Sequence, residues 1–267
     1  MISLAKQVLD RFFPQSAASL RSSRYRRELY QIFQDLVSRD GKTVQTGPFK
    51  GLIYALPGIG AAAIYHYGGV PKLLGCYEAE LHGIFTAAAI KGYDTVMNIG
   101  CAEGYYVAGL ARLFPRTHVF AFDIDDGARL LCAETARANG VLSRVTLLGE
   151  CVPADFDRLA SGRTLVLCDC EGAELQVLRP DLARALASCD VLVELHPHVD
   201  ASITTEIPAR FATTHVTTLL QGEPRDPAAF ATLRGYGPRW QKMAVSEFRE
   251  GIGDWAFFAS KELAARV

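Results

Sequence analysis

The run Tyr93-Asp94-Thr95-Val96-Met97-Asn98-Ile99-Gly100-Cys101-Ala102-Glu103-Gly104, with His118-Val119-Phe120-Ala121-Phe122-Asp123 after it, decides how this chain folds. Each half holds a short apolar run bounded by turn residues, which suits a buried parallel strand. Between them Tyr105 to Phe114 read as a helix that Pro115 stops. The unit is therefore strand, glycine loop, helix, strand. Gly100 and Gly104 let the backbone turn tightly and approach a ligand with no Cβ in the way. Asp123 lies 19 residues beyond Gly104, where the second strand of such a unit delivers a carboxylate to a ribose diol.

The loop reads Asn98-x-Gly100-x-x-x-Gly104, not G-x-G-x-x-G. Closely spaced glycines bring backbone N–H groups onto a pyrophosphate. Here Cys101-Ala102-Glu103 fills that space, and the Glu103 charge opposes a pyrophosphate but can accept a hydrogen bond from a cationic ligand. Alone, the loop is no more than a strand-to-helix turn. Paired with Asp123 at that spacing, it points to a nucleoside site.

Beyond Asp123 the pattern alternates. A helix over Asp126 to Asn139 ends at Gly140, strand Val145 to Leu148 runs into Gly149-Glu150-Cys151, and helix Pro153 to Leu159 precedes strand Leu165 to Cys168. A helix near Leu175 to Ala187 is interrupted at Pro180, strand Val191 to Leu195 leads into His196-Pro197-His198, and a helix near Ile207 to Phe211 follows. Strands alternating with helices mean βαβ units and an α/β, doubly wound, Rossmann-like parallel sheet. Two more strands, Val216 to Leu220 and Trp255 to Ala259, are separated by 34 residues rich in Pro and Gly, read as a lid or substrate wall.

Ahead of the glycine loop, Leu4, Val8 and Leu9 form one helical stripe and Leu29, Ile32, Phe33 and Leu36 a second. Arg21, Arg24, Arg26 and Arg27 form a solvated helix face, since only Tyr25 interleaves to stack a base. Lys42 to Thr46, Leu52 to Tyr54 and Ile64 to Tyr67 read as short strands, and Cys76 to Lys91 as a helix stopped by Gly92, with Glu78 and Glu80 in its first turn. The division expected is an N-terminal helical and small β extension over 1–75, acting as a cap or substrate wall, and a nucleoside-binding domain over 76–267.

At 267 residues with 49% hydrophobic content the chain can bury a large core, and its net charge of −1 offers no global attraction to nucleic acid or an anionic membrane. Seven scattered cysteines without a C-x-x-C pair or zinc spacing fit reduced thiols in a cytoplasm. Met1 to Pro14 lacks the apolar core of a signal peptide, and the apolar run Leu52 to Tyr65 is broken by Pro57, Gly58 and Gly60, too short to span a bilayer. The expected setting is cytoplasmic.

Ligands of open α/β sheets sit at the carboxyl ends of the strands. Those ends carry Asn98 and Gly100, Asp123, Glu150, Asp169, and Glu194 with His196. Each alone could cap a helix; together they argue for a site. Glu194 and His196 at i, i+2 share a face, and with Asp169 they could take a proton from a substrate hydroxyl or hold a divalent ion, though no metal ligand set is assigned. Cys168 and Cys170 flank Asp169 and read as buried small residues. Glu78 either complements its helix dipole or faces the ligand.

Val96 to Tyr106, Ala121-Phe122-Asp123 and Asp169-Cys170-Glu171-Gly172-Ala173-Glu174 resemble class I S-adenosylmethionine-dependent methyltransferases, more narrowly the FkbM-like family, and Trp255 to Phe258 resembles the last strand of that fold. The resemblance covers roughly residues 76–260 and implies a seven-stranded, mostly parallel sheet with an antiparallel last strand. It implies S-adenosyl-L-methionine as cofactor and methyl transfer to a hydroxyl of a sugar or other small molecule. By position, Gly100, Cys101, Ala102, Glu103 and Gly104 would line the methionine and ribose, with Glu78 and Asn98 near them. Asp123, with Ile124 beside it, would bind the ribose, and Glu150 and Cys151 would flank the adenine. Asp169 would lie by the methionine end, facing the acceptor. For a hydroxyl acceptor Asp169 or His196, with Glu194 beside them, is the base expected from the strand-end cluster. Asn98 stands where the family commonly has Asp, and residues 1–75 match no pattern of it. The N/D-P-P-[YF] signature of many amino-methylating enzymes is absent, which favours oxygen acceptors. The rivals are a nicotinamide-dependent oxidoreductase on a similar sheet, a cofactor-binding module without turnover, and an RNA methylase, which the neutral charge disfavours.

Overall fold

The computed structural model describes residues 14–54, 60–247 and 254–265, with side chains from residue 23 onward. The stripe of Leu4, Val8 and Leu9 lies outside the described residues. Seven strands form one sheet: β1 (Thr95–Ile99), β2 (His118–Phe122), β3 (Val145–Leu148), β4 (Thr164–Cys168), β5 (Cys189–Leu195), β6 (His215–Gln221) and β7 (Asp254–Ser260). Their order is β3-β2-β1-β4-β5-β7-β6. The first five pair in parallel, while β7 runs antiparallel between β5 and β6. The chain thus has six parallel strands, one antiparallel strand and helices on both faces. The order reverses between β1 and β4, the switch point at which α/β sheets open a crevice.

Alternation along the strands builds two cores. Val96, Val119, Leu165, Leu167 and Leu192 face one way; Met97, Ile99, Val166, Val191 and Val193 face the other. The first face is covered by α1 (Pro14–Asp40), α2 (Ala61–His66), α3 (Gly69–Leu74), α4 (His82–Lys91), α5 (Tyr105–Leu113) and α6 (Asp126–Ala138). The second is covered by α7 (Ala154–Leu159), α8 (Glu174–Val177) and α9 (Ile203–Phe211), through Phe156, Val177, Ile203, Ile207 and Phe211. Leu29, Ile32, Phe33 and Leu36 of α1 are buried as their spacing predicts, and Arg24, Arg26 and Arg27 are exposed. Among the described residues no helix is long and apolar enough to cross a membrane.

Several local readings change. Ile64–Tyr67 is not a strand: Ala61–His66 is helical, with Ile64 alone buried, because a run of alanines has high helix propensity and Gly68 in the left-handed region ends it. The strands expected at Lys42–Thr46 and Leu52–Tyr54 reduce to one antiparallel bridge, Thr43 to Ile53. The helix expected from Cys76 begins at His82, after a 3₁₀ turn over Ala79–Leu81; Glu78 has φ +45, so neither Glu78 nor Glu80 lies in its first turn. The stretch before β7 is held down by Arg225, which pairs with Glu80 and Glu247 and donates to the Cys76 carbonyl.

Candidate functional site

A cavity of about 800 Å³ opens where β1, β2, β3 and β4 end. Its floor is the glycine loop. Gly100 turns at φ +80, and a Cβ there would stand 1.7 Å from the Asp169 carbonyl oxygen, so only glycine lets the loops after β1 and β4 meet. Ala102 is also left-handed, at φ +45, and its N–H donates to Asp123 Oδ2 at 2.9 Å. The other oxygen of Asp123 accepts from the Asp125 N–H at 3.0 Å, and Asp125 in turn caps α6 by accepting from Ala128 N–H. Backbone donors therefore aim the carboxylate at the end of β2. Beside it Ile124 is 82% exposed and Val152, beyond β3, 45% exposed; both apolar side chains line the cavity. Glu150 and Cys151 line it too.

The D-x-E-G-A-E run after β4 has a mechanical basis. Glu174, fully buried, accepts through Oε1 from the Gly172 N–H at 3.2 Å and the Cys170 N–H at 3.4 Å, and meets His196 Nδ1 at 2.8 Å. One carboxylate thus shapes the loop and orients the imidazole. His196 Nε2 lies 3.6 Å from carboxylate oxygens of Asp169, Glu171 and Glu194. The strand spacing has brought Glu194 and His196 together beside Asp169. His198 is exposed beyond them.

The charges of this cluster are interdependent. Burial pushes the Asp169 carboxyl up to about 6, against the pull of His196. Burial raises Glu194 well above the usual carboxylate range, and the neighbouring Asp169 raises it further. Burial disfavours a charged His196, yet the carboxylates of Glu174, Asp169 and Glu171 outweigh it and hold the imidazole pKa above its ordinary value. The result is two carboxyls that resist joint ionisation, flanked by an imidazole that favours its proton. Two triads, Asp169, Glu171 and His196, and Glu78, Asp169 and Glu194, bring ligand atoms within 4.8 Å of one another.

Of the residues singled out from sequence, Gly100, Cys101, Ala102, Glu103, Asp123, Ile124, Glu150, Cys151 and Asp169 line the cavity, and Asp169 presents 24% of its side chain. Gly104, Asn98, Glu78, Glu194 and His196 lie behind the lining. Gly104 turns into α5 at φ +87 against Cys132. Asn98 faces into the sheet, donating weakly to the Leu167 carbonyl, with its Oδ1 unpartnered among the described residues. Glu78 is fully buried and accepts from the Tyr106 hydroxyl. Cys170, read as buried, is half-buried and on the lining, its sulfur 3.6 Å from that of Cys168. The described part of the segment between β6 and β7 does not line the cavity; pinned by Arg225, it packs elsewhere.

A cap from the N-terminal segment was expected, but the residues that form the ceiling were not singled out from sequence. His66, Tyr67, Lys72 and Tyr77 enter from the segment ahead of β1, and with Tyr105 and Tyr106 they make an aromatic wall. Lys72 pairs with Glu103 of the glycine loop at 2.5 Å, and the Tyr54 hydroxyl donates to the same oxygen at 2.9 Å. The available signal was the departure of this segment from any known pattern.

No family model and no curated protein matches the chain. Solved structures do share its fold. The O-methyltransferase TomG from Streptomyces achromogenes, involved in tomaymycin synthesis and solved in complex with SAM, is 15% identical, with a TM-score of 0.50 over 74% of this chain and 87% of that one. The cofactor-bound Rv0187 from MTB is 15% identical, with a TM-score of 0.52 over 78% of this chain and 93% of that one. At such identity the likeness is one of architecture: the seven-stranded Rossmann-like sheet of methyltransferases is the fold of this chain.

Proposed function

We propose that the protein is an S-adenosylmethionine-dependent methyltransferase, of FkbM-like type, acting on a hydroxyl of a small molecule. The observation that carries this reading is the cavity at the strand switch point, where an aimed Asp123, a left-handed glycine loop and a partly exposed Asp169 meet. The lining suits the donor along its length. Asp123 is placed for a ribose diol, and Ile124 and Val152 offer exposed apolar contacts for an adenine. Carboxylates of Asp123, Asp125, Glu150, Asp169 and Glu171 make the cavity acidic, which favours a cationic ligand over a dinucleotide or a nucleic-acid phosphate.

Bound there, S-adenosylmethionine supplies a methyl group already activated by its sulfonium. The chain's own residues supply alignment, exclusion of water and removal of a proton. Asp169 accepts the acceptor's hydroxyl proton as the oxygen attacks; with a pKa near 6 it is ionised at neutral pH and still basic enough to serve. His196 and Glu194 favour its ionised form against burial, and Glu171, 78% exposed and 3.6 Å from His196, leads the proton to solvent. The N-terminal segment acts as cap, and the tyrosine wall sets the acceptor's shape.

The test is calorimetric titration with S-adenosylhomocysteine and NAD, followed by measuring S-adenosylhomocysteine release across a panel of hydroxylated acceptors. Binding of the homocysteine nucleoside and turnover on an alcohol are expected. Binding of NAD alone overturns the reading, and tight binding with no turnover on any acceptor favours a non-catalytic module.

A further inference from the structure

Cys168 and Cys170 flank Asp169, yet the proposed reaction uses neither thiol. Alternation along β4 turns both away from the Asp169 side chain and toward the second core. Their sulfurs lie 3.6 Å apart, in van der Waals contact and about 1.6 Å short of bonding distance. Cys168 is fully buried at the end of β4, whereas Cys170 is half-buried and stands on the cavity lining. The contact with Cys170, and then burial, push the Cys168 thiol well above its usual range, so it stays protonated and shut from solvent. One thiol is thus open to a small solute entering the cavity, with a second directly behind it. Cys101 and Cys132, also neighbours, are both buried and present no such open sulfur.

Asp169 sits between the two sulfurs, and its backbone is tied to its surroundings. Its N–H donates to the Ile99 carbonyl at 2.9 Å, and its own carbonyl oxygen abuts Gly100, where a Cβ would stand 1.7 Å away. The Cys170 N–H and thiol both point to Glu174 Oε1, at 3.4 and 3.7 Å, the same oxygen that meets His196. Drawing the sulfurs together pulls Cys170 off Glu174 and displaces Asp169 between them. A loop packed this closely cannot absorb that movement alone, so the glycine loop and the imidazole shift with it.

We propose that Cys168 and Cys170 form a reversible disulfide that switches the cavity off, with hydrogen peroxide as the oxidant. The Cys170 sulfur attacks one peroxide oxygen, the O–O bond breaks, and the thiol proton leaves with the other oxygen as water. The Cys168 sulfur then attacks the sulfenic acid so formed. The S–S bond forms, the S–O bond breaks, and the Cys168 proton leaves with that oxygen as a second water. Two thiols give up two electrons and one peroxide takes them. Exchange with an added dithiol reverses the bond. A nucleoside ligand in the cavity covers Cys170 and slows the first attack. The bond does not depend on the methyltransferase reading; the loss of turnover rests on it.

The experiment treats the full chain with a slight excess of hydrogen peroxide and maps its cysteines by peptide mass spectrometry. A Cys168–Cys170 bond is expected, removed by dithiothreitol and formed more slowly with S-adenosylhomocysteine present. Oxidation should lower turnover and affinity for that ligand at least about tenfold, and reduction should restore both. Amide hydrogen exchange over Gly100–Gly104 and Asp169–Glu174 should quicken in the oxidised protein. Cys168→Ala should halt at the sulfenic acid, with Cys170 captured by dimedone. Where that variant fails to fold, Cys170→Ser should abolish both the bond and the peroxide effect. Peroxide that leaves the pair reduced, carries Cys170 to a sulfinic acid without a disulfide, or joins Cys101 to Cys132 instead overturns the proposal. So does a Cys168–Cys170 bond that leaves hydrogen exchange of the two loops unchanged. A reduced protein that binds no S-adenosylhomocysteine removes the cofactor reading, while the mapped bond and the exchange rates still decide the switch.

Discussion

Asp169→Asn should make the protein more stable while disabling it, and the gain should depend on pH. A carboxyl whose pKa rises from the usual 3.8 to about 6 on folding is bound to its proton more tightly in the native state than in the unfolded chain. Between those values the native state holds more protons, so stability falls as pH rises through the window and the full cost is present above it. Two pKa units at about 1.4 kcal/mol each put that cost near 3 kcal/mol. Asparagine keeps the shape and carries no charge. It gives up the attraction to His196, whose Nε2 lies 3.6 Å away, but Glu171 and Glu174 still face that ring. The net gain at pH 8 is therefore expected to be about 1–3 kcal/mol, or several degrees in melting temperature for a chain of this size. Urea denaturation of both proteins from pH 4 to pH 8 measures it: the curves should coincide near pH 4 and separate through pH 6. A variant less stable than the parent at pH 8, or a difference that ignores pH, would show that favourable contacts hold the carboxylate and would refute the reasoning.

Other expectations bear on the same loops. With a hydroxyl acceptor, kcat/KM should fall as pH drops through about 6, the range in which Asp169 gains its proton, and Asp169→Asn should lower turnover roughly 10²–10⁴-fold; a flat profile in the parent removes the base role. Gly100→Ala would drive a Cβ into the Asp169 carbonyl and force φ +80 on an L-residue, costing about 3 kcal/mol or more; an unchanged melting temperature would show that the two loops do not meet this closely. Because His196 already sits among the carboxylates of Asp169, Glu171, Glu174 and Glu194, chelation should leave turnover intact; activity lost to a chelator and restored by magnesium would assign those carboxylates to a metal.

The sheet could be read from sequence because burial on both faces leaves its mark on every residue of a strand: β1, β4 and β5 are buried throughout, and such runs between turn residues have few other readings. Glu194 and His196 lie 3.6 Å apart, as their i, i+2 spacing suggested, with His196 one residue beyond the end of β5. The ceiling over the cavity had no such guide. His66, Tyr67, Lys72 and Tyr77 sit on short helices and turns whose orientation is set by tertiary packing against α1 and α5, and whose local propensities say little. Ile64–Tyr67 shows the cost: β-branched and aromatic residues suggested a strand, while the alanines before them and Gly68 after them decided for a helix. Glu78 failed for a related reason. A carboxylate in a helix's first turn reads as complementing the dipole, yet here the helix starts later and the left-handed backbone of Glu78 turns it inward to Tyr106.

The distribution of charge separates the candidate cofactors more sharply than the fold does, since one architecture serves many ligands. The cavity brings five carboxylates, Asp123, Asp125, Glu150, Asp169 and Glu171, against Lys72, which Glu103 already neutralises. A dinucleotide would carry two phosphate charges into that field, and the loop that should receive them presents Glu103 in place of a third glycine. A sulfonium enters the same field favourably. Asp123 spends both oxygens on loop backbone N–H groups, so it is held in place yet keeps lone pairs for a diol. The acidic cluster behind Asp169 does not separate the two, since either an alcohol oxidation or a hydroxyl methylation releases a proton that a carboxylate can take; the discrimination rests on the missing pyrophosphate cradle and the acidic lining.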